Sequence, residues 1–531
     1  MMDTVNGVYH KTVDDSVPVV NGIVQTKEDL VRAEDRESQR MGVKVYKRRW
    51  LMLGLFCLVS MSNAAQWIQY SVISNVVKDF YDVSQIAVDW FSMIFMLAYI
   101  PLIIPGTWLL DHSGLRLIGI IAASLNCLGA WLKYAGARPD LFGLAFTGQT
   151  IAAIAQVFIL GMPAHVAATW FGAEQVSTAC AVGVFGNQFG VAIGFVLPPI
   201  IVQNNEDPDV VEQGMKTMFL ATAAITTLLL LLVIIFYKER PPTPPSKAQL
   251  EGQQAKEGRS YVDSIWALTR NFNFVLLLVS YGINVGSYYA IGTLLNQIVL
   301  SEFPDSEVEV GIIGLVLVIA GIIGSVVAGI WLDKTRTYRG TCIAVYILSF
   351  IGMALFTGSL KLDQLWIVGL VAGFLGFFMT GYLPLGFEYA AELTYPESEG
   401  TSSGLLNASA QAFGIPFTIL VGMVVSNKDA IFGNLILTGS LLIGAIMTAC
   451  IRADLRRQRA EMQEQTIQAP ANETTLEEAH DNVGFDESET AVLPEQELKN
   501  EEETEELNKD EDDKPKAYLG EDDVNLKMQS E

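Results

Sequence analysis

The residues best suited to chemistry lie between Asn63 and Asn75, in the run Asn-Ala-Ala-Gln-Trp-Ile-Gln-Tyr-Ser-Val-Ile-Ser-Asn. Amides and hydroxyls here can both donate and accept hydrogen bonds, and Trp67 and Tyr70 add aromatic faces. Ring faces attract ammonium groups, so such a set suits a small organic cation held without a carboxylate counter-ion. The run closes an apolar segment that begins Leu51-Met-Leu-Gly-Leu-Phe-Cys-Leu-Val and stays uncharged as far as Val77. A lipid-facing helix gains nothing from amides, each of which costs several kcal/mol when unpaired in hydrocarbon. Two readings compete: amides bonding neighbouring helices together, and a substrate pathway through a bundle interior. Trp67 itself is open between a site residue and an interface anchor, since it lies roughly 25 Å of helical rise beyond Trp50.

The element that must position these residues is a membrane helix among many. The 531 residues are 51% hydrophobic and only 17% charged, below the usual quarter for soluble domains. Segments long enough to cross a bilayer fall near 50–76, 86–110, 115–136, 142–171, 177–202, 215–238, 271–298, 308–332, 338–360, 364–392, 401–426 and 430–452. The fold class expected is therefore an all-α membrane protein of twelve transmembrane helices in two six-helix sets. The domains expected are a cytosolic N-terminal segment (1–49), a first half (50–238), a cytosolic linker (239–270) containing Pro241-Pro-Thr-Pro-Pro245, a second half (271–453) and an acidic tail (454–531).

Lysines and arginines set the orientation. Lys44, Lys47, Arg48 and Arg49 precede the first span, and Lys238, Arg240, Lys247, Lys256, Arg259 and Arg270 lie between the sixth and seventh. Lys334, Arg336 and Arg339 follow the eighth, and Arg452, Arg456, Arg457 and Arg459 the twelfth. All share one side, which places both termini in the cytosol. Of the formal charge of −24, residues 461–531 contribute 24 acidic against 5 basic residues. So charged and poor in aromatics, the tail is expected to be disordered. The five cysteines lie inside spans, where they act as small hydrophobes, and neither disulfide nor metal site is expected.

The halves read as copies. Asn63 and Asn75 recur as Asn284 and Asn296, Pro163 as Pro384, Asp111 as Asp333, Thr178 as Thr401 and Gln188 as Gln411, at shifts of 221 to 223 residues. A parallel repeat of this kind puts the substrate between the halves near the midplane. Under it, Tyr288 and Tyr289 bracket the equivalent of Trp67, and Gln156, Gln188 and Gln411 supply amides. Ionisable residues in the spans, Asp89, His165, Glu388 and Glu392, sit toward span ends. Gly186, Gly190 and Gly194, and Gly311, Gly314, Gly321 and Gly324, read as close helix packing. No phosphate-cradling loop, nucleophile elbow or metal-ligand spacing is present in the sequence, so neither an enzyme nor a cofactor is expected.

Gly106-x4-Asp111-His-Ser-Gly114-Leu-Arg116 and Gly329-x3-Asp333-Lys334 resemble the signature between helices two and three, and eight and nine, of the major facilitator superfamily. The first carries one extra residue and has His112 where Arg or Lys is common. Within that superfamily, Asn63-Ala-Ala-Gln-Trp-Ile-Gln-Tyr70, Tyr288-Tyr-Ala-Ile-Gly-Thr-Leu-Leu-Asn296, Gly329-Ile-Trp-Leu-Asp333 and Gly386-Phe-Glu-Tyr-Ala-Ala-Glu-Leu-Thr-Tyr-Pro396 resemble the feline leukaemia virus subgroup C receptor family. The resemblance implies facilitated transport of choline and ethanolamine across the plasma membrane, and historically haem export. It implies a cation site of Trp67 and Tyr289 flanked by Gln156, Asn187 and Gln411.

The expectation is thus a monomeric uniporter for a small cation in the lipid bilayer, with no nucleic-acid partner. The substrate set expected is Trp67, Tyr289, Gln156, Asn187, Gln188 and Gln411, and the gating set Asp111, Arg116, Asp333, Lys334 and Arg336. Two other readings stand beside it. A haem exporter requires iron ligands, and outside the termini the only histidines are His112 and His165. A non-transporting receptor or scaffold would act through the acidic tail.

Overall fold

The computed structural model describes Val19, Val20, Ile23 and Val24, which form a two-residue antiparallel pair. It also describes residues 45–459 except 173–174, 206, 244–260, 396, 398, 427–429, 453–454 and 458. Most of the N-terminal segment, most of the linker and the acidic tail, including the expectation of tail disorder, lie outside the described residues. So do the side chains of Asp111 and Asp333.

Among the described residues, twelve helices are long and apolar enough to cross a membrane. In order they are Arg49–Tyr81, Gln85–Leu110, Leu115–Ala135, Phe142–Trp170, Val176–Ile201, Pro208–Phe236, Phe272–Leu300, Glu307–Leu332, Tyr338–Ser359, Leu365–Thr394, Glu399–Ser426 and Ala430–Cys450. A helix satisfies its backbone internally, which hydrocarbon demands. The two sets of six pack alike. The first span lies against the fifth as the seventh lies against the eleventh. The fourth pairs with the second and third as the tenth pairs with the eighth and ninth, and the third with the sixth as the ninth with the twelfth. The halves meet along two related seams, the second span on the eleventh and the fifth on the eighth. The duplication read from the sequence is thus a duplication of packing.

The glycine columns are contact surfaces. A Cβ on Gly186, Gly190 or Gly194 would strike the first span at Cys57, Met61 or Ala65 and Ile68. One on Gly311 or Gly314 would strike Phe195 across the half interface, and one on Gly321 or Gly324 would strike Thr380 or Phe377. Small residues let these backbones approach and pack.

The first span departs from one continuous helix, and runs five residues beyond the expected end. Its α-helix is Arg49–Ile68; Gln69 and Tyr70 form a turn, Ser71–Ile73 a 3₁₀ turn, and Ser74–Tyr81 a second α-helix. The seventh span, its repeat counterpart, is unbroken from Phe272 to Leu300. A break frees backbone carbonyls that something else must satisfy, and fully buried side chains do so. Gln149 Nε2 donates to the Gln66 carbonyl at 2.9 Å and to that of Phe91 at 3.0 Å. Asn296 Nδ2 donates to the Val72 carbonyl at 2.8 Å.

Apolar packing splits unevenly. The part of the first half nearest Arg49, including Phe56, Leu110, Met162, Trp170 and Tyr237, forms one cluster. The opposite end of the first half, from Ala64 onward, joins the second half in another.

Candidate functional site

Trp67 is 7% exposed, on the face of the first span turned to the second half. Its ring meets that of Tyr289, from the seventh span, at a centroid distance of 5.7 Å and an interplanar angle of 78°. Gly292, one turn beyond Tyr289, leaves room for the indole: a Cβ there would stand 3.8 Å from it and 4.0 Å from the Phe195 ring. Tyr288 stands beside Tyr289 at 6.2 Å. Gln411, buried on the eleventh span, reaches the Tyr289 hydroxyl. Gly414, one turn on, admits Met96 and the Tyr289 Cβ. Trp67 is therefore placed between halves rather than at a lipid interface.

Trp67, Tyr289 and Gln411 are brought together. Asn187 is half-buried and donates to the Ser60 hydroxyl at 3.2 Å, nearly two turns before Trp67. Gln156 and Gln188 are also half-buried. Among the described residues no hydrogen bond ties either to the aromatic pair, and the Gln156 Oε1 has no partner.

Behind the first span lies a network that the sequence reading missed. Asn63 and Gln66 donate to Asn126 Oδ1 at 2.9 and 2.8 Å, and Asn126 donates to the Ser62 hydroxyl at 2.9 Å. Asn63 also reaches the Ala152 carbonyl at 2.9 Å. For this part of the amide run, bonding between helices is the role observed. Lys133, on the third span, was missed as well. Two residues from its helix end, it reads from sequence as a side chain snorkelling to the interface, yet it is 0% exposed. Its Nζ donates to Gln69 Oε1 at 3.3 Å and faces the Tyr70 and Phe219 rings at 5.8 and 5.5 Å.

Polar contacts between the halves gather where the first span ends. Asn296 accepts from the Ser74 hydroxyl at 2.9 Å. Asn75 and Asn204 both donate to Glu307 Oε1 at 2.9 Å. Asp89 accepts from Gln297 at 2.6 Å, and the Ser92 and Thr293 hydroxyls stand 2.8 Å apart. Asp89 is thus committed to an inter-half contact at a span end.

At the opposite end lie the three expected gating residues whose side chains are described, Arg116, Lys334 and Arg336. Arg116 is exposed and donates to the Ile234 carbonyl of its own half at 3.4 Å. The Glu239 carboxylate accepts from the backbone N–H groups of Leu115 and Arg116, both at 2.9 Å, capping the third span. Lys334 is exposed, and Arg336 closes the eighth span in a left-handed conformation at φ 52°.

Against this geometry stand the comparisons. The Major Facilitator Superfamily model matches residues 55–419. The Danio rerio choline/ethanolamine transporter flvcr2a is 53% identical over 421 residues, 79% of this chain and 90% of that protein. The chain belongs to the feline leukaemia virus subgroup C receptor family of the Major Facilitator Superfamily. The Homo sapiens member FLVCR2, also named a choline/ethanolamine transporter, is 51% identical over 419 residues, 79% of this chain and 80% of that one. The Felis catus member FLVCR1, named likewise, is 50% identical over 453 residues, 85% and 80%. Solved structures confirm the superfamily fold. A D-xylose–proton symporter aligns with TM-score 0.59 at 13% identity, over 77% of this chain and 98% of its own. A bacterial homologue of the human lysosomal transporter Spinster aligns with TM-score 0.58 at 12% identity, over 78% and 99%. As a member of this family the chain is a multi-pass membrane transporter and not an enzyme.

Proposed function

We propose that this protein carries choline and ethanolamine across the plasma membrane as a monomeric uniporter working by alternating access. The observation that carries the reading is the Trp67–Tyr289 pair, one ring from each half, 5.7 Å apart. An ammonium lying against these two faces gains ~0.5–2 kcal/mol from each, and more once desolvated. Because each ring belongs to a different half, a cation seated there bears on both at once. Gln411, at the Tyr289 hydroxyl, is placed to bond the substrate alcohol or amine, with Gln156, Asn187 and Gln188 completing the polar lining. The relatives named choline/ethanolamine transporters support the same substrate class.

With both termini cytosolic, the polar contacts around Asn296 and Glu307 close the extracellular end, and the separate apolar cluster of the first half lies at the cytosolic end. In the opposite state Asp111, Arg116, Asp333, Lys334 and Arg336 would meet across the cytosolic end. Labelled choline uptake into proteoliposomes, wild type against Trp67→Leu, tests the reading. Saturable uptake that collapses in the variant is expected; uptake unchanged by the variant places the site elsewhere.

A further inference from the structure

Of the nine tryptophans, Trp266 alone lies outside the twelve spans. It belongs to a ten-residue helix, Tyr261–Arg270, which packs against the seventh and eleventh spans. Leu268 on this helix is buried in the core. Asn271, at φ −79° and ψ 103°, ends the helix and caps the seventh span by accepting from the Phe274 N–H at 3.3 Å. Its Nδ2 donates to the Leu393 carbonyl at 3.0 Å. The short helix is thus fixed to the body of the second half.

Its other face is bare. Trp266 is 61% exposed, and Phe272, just beyond the cap, is 73% exposed. Arg270 lies one turn from Trp266, with its guanidinium 4.8 Å from the ring centroid. Stacking uses the flat face of the guanidinium and leaves N–H donors at its edge, the geometry that meets a phosphate. Arg452 adds a second exposed cation, and its backbone N–H donates to Asn273 Oδ1 at 3.2 Å. Among the described residues no carboxylate pairs with Arg270 or Arg452.

Neither water nor hydrocarbon alone suits such a surface. Large aromatic side chains gain by leaving water, whereas guanidinium groups need water or an anion. Both needs are met at the headgroup level, where tryptophan concentrates and where helices with an apolar and cationic face lie in the membrane plane. Phe272 opens the seventh span, which sets the surface at that level. On the cytosolic side the leaflet is anionic and attracts arginines placed next to a span.

We propose that Trp266, Arg270, Phe272 and Arg452 form a docking surface for anionic phospholipid of the cytosolic leaflet. The rings enter the headgroup layer and the two guanidinium groups take the phosphate oxygens. The surface rests on the cytosolic placement of this end and draws nothing from the Trp67–Tyr289 pair. The seventh span runs unbroken from Phe272 to Leu300, so the lipid holds the foot of the helix that carries Tyr289.

The test uses the purified full-length protein in detergent, with the first lipid bound followed by native mass spectrometry. The probes are short-chain phosphatidylglycerol, which has no ammonium group to enter the substrate site, the diacylglycerol of the same chains, and inorganic phosphate. Wild type is expected to bind phosphatidylglycerol about tenfold or more tighter than diacylglycerol. Arg270→Gln combined with Arg452→Gln is expected to weaken phosphatidylglycerol by about fivefold for each charge removed and to leave diacylglycerol unchanged. Trp266→Ala is expected to weaken both lipids, while Arg270→Lys, which keeps the charge, is expected to retain most of the binding. Equal binding of the two lipids by wild type overturns the proposal without any variant. So does phosphatidylglycerol binding that the double arginine variant or Trp266→Ala leaves unchanged. Inorganic phosphate that displaces phosphatidylglycerol at equal concentration also overturns it, because the surface is then a site for a free anion and not for a lipid.

Discussion

Asn296 grips the first span beside Ser74 with both ends of one amide, accepting from the serine hydroxyl at 2.9 Å and donating to the Val72 carbonyl at 2.8 Å. The carbonyl is available because the helix stops at Ile68 and resumes at Ser74. A residue of the second half thus satisfies the backbone of a break in the first, and closure of that end is coupled to the shape of the broken segment.

Removing that amide should loosen this end. Asn296→Ala leaves a buried carbonyl and hydroxyl without their partner, a penalty of about 1–3 kcal/mol borne only in the closed arrangement. Labelling of a single cysteine introduced near Ser74 should rise severalfold from the extracellular side. Labelling that does not change would reduce the amide to packing.

For the aromatic pair, ring character should outweigh bulk. Trp67→Phe should retain part of the binding, while Trp67→Leu and Trp67→Ala should raise half-saturation by about tenfold or more. Tyr289→Phe keeps the ring and loses only the hydroxyl beside Gln411, so it should be milder than Tyr289→Ala. Uptake kinetics normalised to protein in the membrane give the ranking, and a Leu variant equal to the Phe variant would contradict it.

The cap on the third span is a test of fold rather than of binding. Gly114 has φ +79° and ψ 163°, a region essentially reserved for glycine, and the Glu239 carboxylate occupies the space a Cβ would need. Gly114→Ala should cost about 1–3 kcal/mol and lower the thermal midpoint of the purified protein. Glu239→Gln, which keeps an acceptor for one of the two N–H groups, should lower it less. Equal midpoints for all three proteins would remove the cap from the account.

Uniport makes transport depend on the cation's own electrochemical gradient. The membrane potential supplies ~2.3 kcal/mol per charge per 100 mV. Collapsing it with an ionophore should slow choline entry, while removing sodium or a proton gradient at fixed potential should leave the initial rate unchanged. Strict dependence on either ion would replace uniport with symport.

The architecture was legible in the sequence because hydrocarbon leaves so little choice. Length and apolarity delimit the spans, and the constant shift from Asn63 to Asn284 and from Gln188 to Gln411 announces the duplication that the helix pairing displays. Trp67 and Tyr289 were legible through the repeat and the family strings. The break at Gln69 was not, because no proline or glycine marks it and its stabilisers, Gln149, Asn296 and Lys133, are remote in sequence. Asn126 and Lys133 were hidden for a similar reason. A lone amide in an apolar span, or a lysine near a helix end, shows its role only once partners from other helices are known. The contacts of Arg116 within its own half depend on which conformation the protein occupies, and a sequence does not select among states.

The uneven division of the apolar core bears on how the protein comes apart. The Arg49 end of the first half, around Phe56, Met162 and Tyr237, forms its own cluster, while the other end of that half shares a cluster with the whole second half. Under mechanical extraction from a bilayer by the N-terminus, the first six helices should not yield as one unit. The segment around Phe56 should release first, with a force step of its own, and the remainder should resist until the seam at Asn296 gives way.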